Sequence, residues 1–303
     1  GDNVIAVKVD NSDQPNSRWY SGCGIYRHVW LTKAQKMAYI PQWGQYVSTT
    51  PQGDVKVKVD YLAHGSKMKL SIRNTVYDAD GKVVAKSLGN KVQQLKVKNP
   101  QLWDIAKGYL YTVKSELVVN GKVMDTATTT TGFREVKFDT QKGFFLNGRN
   151  IKINGVCEHH DFGCLGAAVN EDAMHRKLTI LRDMGVNAIR SSHNPPAPEL
   201  LNMCDSMGIL VMDESFDMWR RKKSNGDYAR FFDEWHKRDL SDLIKRDRNH
   251  PSIIMWSIGN EVLEQWSDAA ADTLSLEQAN LILNAGHDAS TLAHSDELSV
   301  NSL

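Results

Sequence analysis

Cysteine is scarce in this chain: its 303 residues hold 4, Cys23, Cys157, Cys164 and Cys204, and no two are spaced as Cys-x-x-Cys. A disulfide scaffold and a cysteine zinc cluster are thereby excluded, and the thiols are expected to be mostly buried. An excess of either charge is also lacking, since 37 basic and 36 acidic side chains leave a net charge of +1. No basic face is available to grip a phosphate backbone, and no nucleic-acid partner is expected. No apolar run approaches the roughly 18 residues of a membrane span, so no membrane partner is expected either. The opening segment, Gly1 to Asp10, lacks the basic, apolar and small-residue layout of a signal and reads as the interior of an alternating strand. The chain is therefore expected to start mid-protein. What is present, 41% hydrophobic and 24% charged residues, is the composition of a folded chain of two or three units.

The first part is β-rich. Period-2 alternation marks half-buried strands at Val55-Lys56-Val57-Lys58-Val59, Met68-Lys69-Leu70-Ser71-Ile72 and Leu117-Val118-Val119. Turn residues separate them, and Asn120-Gly121 supplies the positive φ angles of a tight hairpin. Residues 41–133 read as an Ig-like β-sandwich, and 1–40 as the last strands of a preceding β domain. From about 145 the pattern changes to short apolar strands alternating with amphipathic helices. Strands are predicted at 150–156, 186–190, 209–213 and 252–259. Helices are predicted from the Asn170 cap to Gly185, over 197–207 and over 228–247. After Trp266, the residues Leu274, Leu276, Leu281, Ile282 and Leu283 suffice for a further helix, in irregular phase.

Such β/α units belong to an open α/β sheet or a (β/α)8 barrel, both of which place chemistry beyond the carboxyl ends of their strands. No Gly-x-Gly-x-x-Gly follows the first strand, which argues against a nucleotide site. The four strand ends carry His159, His160 and Asp161; Arg190, His193 and Asn194; Asp213 and Glu214; and Asn260 and Glu261. Glu261 stands out because Trp256-Ser257-Ile258-Gly259-Asn260-Glu261 runs from an apolar strand into an amide and a carboxylate. Held against Trp256, that carboxyl would be desolvated and its pKa raised into the range of a general acid. A plain helix-start glutamate is the alternative. His159, His160, Asp161 and His193 would also suit zinc or iron, but adjacent histidines on a strand point apart. Most of the eight tryptophans belong to cores, Trp219 excepted: its polar surroundings past a strand end make it a candidate to stack on a sugar ring.

Two longer runs go further. Arg246-Asp247-Arg248-Asn249-His250-Pro251-Ser252-Ile253-Ile254-Met255-Trp256-Ser257-Ile258-Gly259-Asn260-Glu261 resembles the acid/base signature of glycoside hydrolase family 2. Asn187-Ala188-Ile189-Arg190-Ser191-Ser192-His193-Asn194-Pro195 is similar to that family's other signature. Ser17 to Arg27, Gly132-Phe133-Arg134, Asn147-Gly148-Arg149 and Gly155 to His159 match further family segments.

The resemblance implies the end of a jelly-roll sugar-binding domain over 1–40, an Ig-like sandwich over 41–133, and the N-terminal half of a TIM-barrel catalytic domain over 134–303. It implies a retaining exo-β-glycosidase, with a β-galactoside or oligosaccharide as substrate. Glu261 would be the general acid/base, Asn260 the partner of the sugar 2-hydroxyl, and His193, His159 and Asp161 the lining of the sugar subsite. Arg190 would keep the nucleophile ionised. That nucleophile, a glutamate at the end of the seventh barrel strand, is expected beyond Leu303, so this chain alone is expected to be inactive.

The large β-galactosidases carry Arg-Asp where Arg27-His28 stands, and Glu-Thr-His-Gly where Ser215-Phe216-Asp217-Met218-Trp219-Arg220 follows Asp213-Glu214. Their sodium and magnesium sites are not matched, so no cofactor is expected and chelators should not abolish hydrolysis. Galactose is the preferred glycone, with glucuronate and mannose as alternatives. A non-catalytic carbohydrate-binding protein is the alternative of another class, against which the intact Asn260-Glu261 pair argues. The exposed edge of a half-barrel makes a homo-oligomer an open expectation. By analogy the compartment is the bacterial periplasm or cytoplasm.

Overall fold

A computed structural model describes residues 3–17, 23–65 and 68–261. Residues 18–22 of the Ser17 to Arg27 match and the helix expected after Trp266 lie outside them. The sandwich comprises β1 (Ala38–Tyr39), β2 (Gln45–Thr49), β3 (Asp54–Val59), β4 (Leu62–Ala63), β5 (Leu70–Tyr77), β6 (Val83–Gly89), β7 (Val92–Lys96), β8 (Tyr111–Val119) and β9 (Lys122–Thr131). A three-stranded sheet, β2-β3-β7, faces a four-stranded sheet, β6-β5-β8-β9, and a short β1-β4 pair flanks them. In β3 the alternation is strict: Val55, Val57 and Val59 are buried while Asp54, Lys56 and Lys58 are exposed. They meet Ile72, Val76, Val113 and Leu117 in one apolar core. Asn120 and Gly121 both have positive φ and close the β8–β9 hairpin as their types predict.

A small antiparallel sheet of β10 (Val136–Asp139), β11 (Gly143–Leu146) and β12 (Arg149–Asn150) leads into the barrel segment. There β13 (Gly155–Glu158), α1 (Glu171–Asp183), β14 (Ala188–Ser191), α2 (Pro198–Met207), β15 (Leu210–Glu214), α3 (Ala229–Asp247) and β16 (Ile253–Ser257) alternate. The strands form a parallel sheet in sequence order, β13-β14-β15-β16. Asn170 caps α1 through its side chain to the Ala173 N–H at 2.8 Å, and Met174 and Leu178 turn inward from that helix. Gly208, in the left-handed region at φ 68°, ends α2.

Two expectations are corrected. The first barrel strand begins at Gly155 rather than 150, because the preceding residues are already engaged: Asn150 pairs with Phe145 and Ile151 N–H donates to Phe144. The alternating stretch near the N-terminus forms no strand among the described residues, where Val4, Ile5 and Val7 are exposed. Alternation makes a strand only where a neighbour completes the ladder, and none is paired with it here.

Backbone contacts dock the sandwich on the barrel segment. The Trp103 indole donates to Asp205 O at 2.7 Å, and Asn249 receives Val47 N–H at 2.9 Å while donating to Gln45 O at 3.0 Å. Gly132 permits this closeness, since a Cβ there would fall 3.0 Å from the Cβ of Pro251. Among the described residues no helix is long and apolar enough to cross a membrane.

Candidate active site

The carboxyl ends of the four parallel strands converge on one cluster of polar side chains. β15 carries Leu210 and Val211 into the cores on its two faces and ends in two buried acids, Asp213 beside Asp247 and Glu214 beside Arg190 and His193, with 0% and 1% exposure. A carboxylate this deep stays ionised only if donors replace its water. Glu214 has them. Arg190 donates from Nε and Nη2 at 2.8 and 3.0 Å, His193 from Nδ1 at 2.7 Å, and Ser257 from Oγ at 2.7 Å. Burial alone would push the Glu214 carboxyl up, but the hydrogen bonds from His193, Ser257 and Arg190 together hold it below the ordinary range. The same contacts outweigh burial at Arg190 and raise its pKa.

Asp213 has no such supply of donors. Burial, and after it the neighbouring Asp247 carboxylate, push it up to about 8, and among the described residues neither of its carboxyl oxygens has a hydrogen-bond partner. Asp247 is in turn held by Arg246, with Nε and Nη2 each 2.6 Å from its oxygens.

From Glu214 the network climbs toward solvent. Arg190 Nη2 also donates to Asn260 Oδ1 at 2.8 Å, and Asn260 Nδ2 donates to Asp217 Oδ1 at 2.8 Å. At the top, Lys223 Nζ lies 3.0 Å from Glu261 Oε2. His159 meets the His193 ring edge to face at 5.1 Å, and burial followed by the nearby His193 lowers its pKa. Asp161 turns back so that its N–H donates to His159 O at 2.9 Å. His193 and Asp217 line a cavity of about 540 Å³ together with Phe216 and Tyr228. A larger open hollow of about 1020 Å³, between residues 32–45 and the end of α3, contains none of these strand-end groups.

The strand-end candidates Asn260, Glu261, Arg190, His193, His159 and Asp161 thus fall at one end of the sheet. Trp219 does not join them. Its side chain is 3% exposed, packs near Phe232 and donates its indole N–H to Ile258 O at 2.9 Å, so its faces are unavailable for stacking on a sugar. Glu261 has a partner that its sequence did not announce, for its carboxylate is ion-paired with Lys223. Of the residues that would suit zinc or iron, His160 donates through Nε2 to Ala167 O at 2.9 Å and His193 is committed to Glu214.

The profile described as glycosyl hydrolases family 2, TIM barrel domain, matches residues 136–292, and that described as glycosyl hydrolases family 2 matches residues 39–134. The chain belongs to glycosyl hydrolase family 2. It is 58% identical over 99% of its length to the beta-galactosidase BoGH2A of Bacteroides ovatus, covering 37% of that protein. A beta-glucuronidase of Streptococcus agalactiae is 34% identical over 66% of this chain and 35% of that one. Among solved structures, a beta-glycosidase from Bacteroides vulgatus superposes with a TM-score of 0.79 at 37% identity, covering 91% of this chain and 36% of that one. The chain spans about a third of the length of the relatives it matches.

Within the family signature that ends in Asn260-Glu261, most residues are structural. Arg248 donates to Trp43 O, Asn249 binds the sandwich backbone, and His250 donates to Asp205 at 2.6 Å. Asp217, Ser257 and Lys223 were not singled out from sequence, whereas the doublet Asp213-Glu214 closing an apolar strand was read among the strand-end groups without a role for either acid. Lys223 sits in the polar run Arg220-Arg221-Lys222-Lys223, where nothing distinguishes it from its neighbours.

Proposed function

We propose that this chain is part of a retaining exo-β-glycosidase that releases terminal non-reducing β-D-galactose, with Glu261 as its general acid/base. The observation that carries the reading is the joining of Arg190, Asn260 and Glu261 at the carboxyl ends of β14 and β16, which gives a sugar ring charge, amide and carboxyl together. In such a mechanism one carboxylic acid protonates the departing oxygen while a second carboxylate, about 5–5.5 Å away, attacks the anomeric carbon. The first then takes a proton from water as the glycosyl intermediate is hydrolysed. Glu261 would do both jobs of the first group. Asn260, held between Arg190 and Asp217, would present a fixed amide to the sugar 2-hydroxyl, and His193, locked on Glu214, would line the subsite beside His159 and Asp161. Galactose is favoured over glucuronate because the beta-galactosidase relative is 58% identical and the beta-glucuronidase one 34%.

The test is hydrolysis of aryl β-galactoside, β-glucuronide, β-mannoside and β-glucoside by a polypeptide carrying this chain within a whole barrel, beside its Glu261→Gln variant. Turnover of the galactoside that falls about 10²–10⁴-fold in the variant is the expected outcome. Undiminished turnover in Glu261→Gln would remove Glu261 from the mechanism, and preference for another aryl glycoside would reassign the sugar.

A further inference from the structure

We propose that Lys223 is a positioning residue for Glu261, a built-in cation that fixes the acid/base carboxyl at the strand ends and favours its ionised form. This rests on the reading of Glu261 given above. The lysine is no loose surface charge, for its side chain is 5% exposed. Its ammonium contacts Asp217 O at 2.6 Å, Asp217 Oδ1 at 3.3 Å, Asn260 O at 3.0 Å and Glu261 Oε2 at 3.0 Å. One group thus ties the segment following β15 to the segment following β16, and to both residues expected to handle the substrate. An ammonium buried this far demands oxygen partners, so its place is over-determined by the acids and carbonyls around it.

The segment carrying Lys223 is itself pinned. Asp227, 3% exposed, accepts the backbone N–H of Lys223 at 2.6 Å and of Ser224 at 2.8 Å through Oδ2, and that of Ala229 at 3.0 Å through Oδ1. Gly226 N–H donates to Pro15 O at 2.9 Å, where a Cβ would come 3.0 Å from Asp13 O. Arg230 meets Asp13 at 3.0 Å. The N-terminal segment therefore braces the turn that aims the lysine. Such a brace is expected where a side chain must hold a set position rather than swing in solvent.

Among the described residues, the charged groups gathered around Glu261 and Asn260 are Lys223 and Asp217 from the segment after β15, and Arg190, bonded to Asn260. Glu214 and His193 stand behind Arg190. Glu214 is neutralised by its own donors, and Lys223 is a cation in direct contact with the Glu261 carboxylate. A cation in contact favours a carboxylate over its acid. In the first step the Glu261 proton passes to the glycosidic oxygen as the C–O bond breaks. In the second, the Glu261 carboxylate takes the proton of the attacking water. Lys223 favours the form that the second step requires and sets the pH above which the first step fails.

The pH profile of kcat/KM in the same whole-barrel polypeptide tests this with Lys223→Met and Lys223→Arg. Removing the cation should move the alkaline limb to higher pH by about one unit, the low end for a paired carboxylate because Glu261 is half exposed. Lys223→Arg, which keeps the charge, should leave the limb near its original place. Thermal melts of each variant check folding, and Lys223→Gln repeats the measurement should the methionine variant not fold. A limb unmoved in a folded, active Lys223→Met or Lys223→Gln enzyme would overturn the role of Lys223 while leaving Glu261 as the acid/base. Loss of the limb's link to Glu261, seen as an unchanged profile in Glu261→Gln, would overturn both.

Discussion

Glu214 and Glu261 follow adjacent parallel strands and differ in almost every physical respect. Glu214 is 1% exposed and receives hydrogen bonds from Arg190, His193 and Ser257, so its charge is compensated on all sides. Glu261 is 46% exposed in this four-stranded sheet and, among the described residues, pairs with the Lys223 ammonium. A carboxylate locked by several buried donors resists protonation and suits the task of holding other groups still. A carboxylate that is less enclosed can gain and lose a proton within a turnover. In this sheet, depth below the strand ends separates the charge that organises the site from the charge proposed to act in it.

The sharpest way to break that contrast is to neutralise the deep member. Glu214→Gln should leave Arg190 and His193 facing an uncharged amide and cost about 3–5 kcal/mol of stability at pH 7, read by urea unfolding. The sign with pH follows from the depressed folded pKa: the stabilisation is present above the ordinary carboxylate range and is lost as pH falls through the folded value. Wild type and variant should therefore converge in acid, and equal stability at pH 7 would mean that the deep charge is not what holds the layer.

Asp213 sharpens the comparison in the opposite direction. Its folded pKa is raised to about 8, so its contribution is complete below the unfolded value and declines as pH rises through about 8. Asp213→Asn, which can donate to Asp247 at any pH, should flatten that decline and melt about 2–4 °C above wild type at pH 9, the equivalent of ~1 kcal/mol. A variant that tracks wild type between pH 6 and 9 would show that Asp213 does not titrate in that range. The smallest effect is expected at Trp219, where replacement by Phe loses one hydrogen bond to Ile258 and should cost about 1 kcal/mol with KM unchanged. A tenfold rise in KM at unchanged melting temperature would return that ring to the sugar subsite.

The sandwich was legible because its strands pair within this chain: the Val55, Val57, Val59 alternation and the Asn120-Gly121 turn appear in the structure as their residue types demand. The same alternation at Val4 to Val9 forms no strand among the described residues, since period alone does not supply a pairing partner. In the barrel segment the strand ends could be read as a set, and Asn170 and Gly208 marked their helix ends correctly. What escaped were contacts made across the fold. Trp219 looked accessible in a polar run yet is covered by Phe232, and Lys223 is separated by 38 residues from the glutamate it holds. Pairings of that kind are set by how two loops converge, which local sequence does not encode.

The docking of the sandwich bears on how such chains can diverge. Asn249 and Arg248 grip the main chain at Gln45, Val47 and Trp43, and Trp103 grips the main chain at Asp205, so each hydrogen bond ends on a main-chain group. Substitution at Gln45, or at Val47 by any residue but proline, keeps the group that Asn249 recognises. The seam between the two units is therefore tolerant of drift on the surface being gripped and intolerant of change in the gripping side chains. A sandwich of different sequence but equal strand geometry that kept Trp103 could be grafted onto this barrel segment and still find its seat.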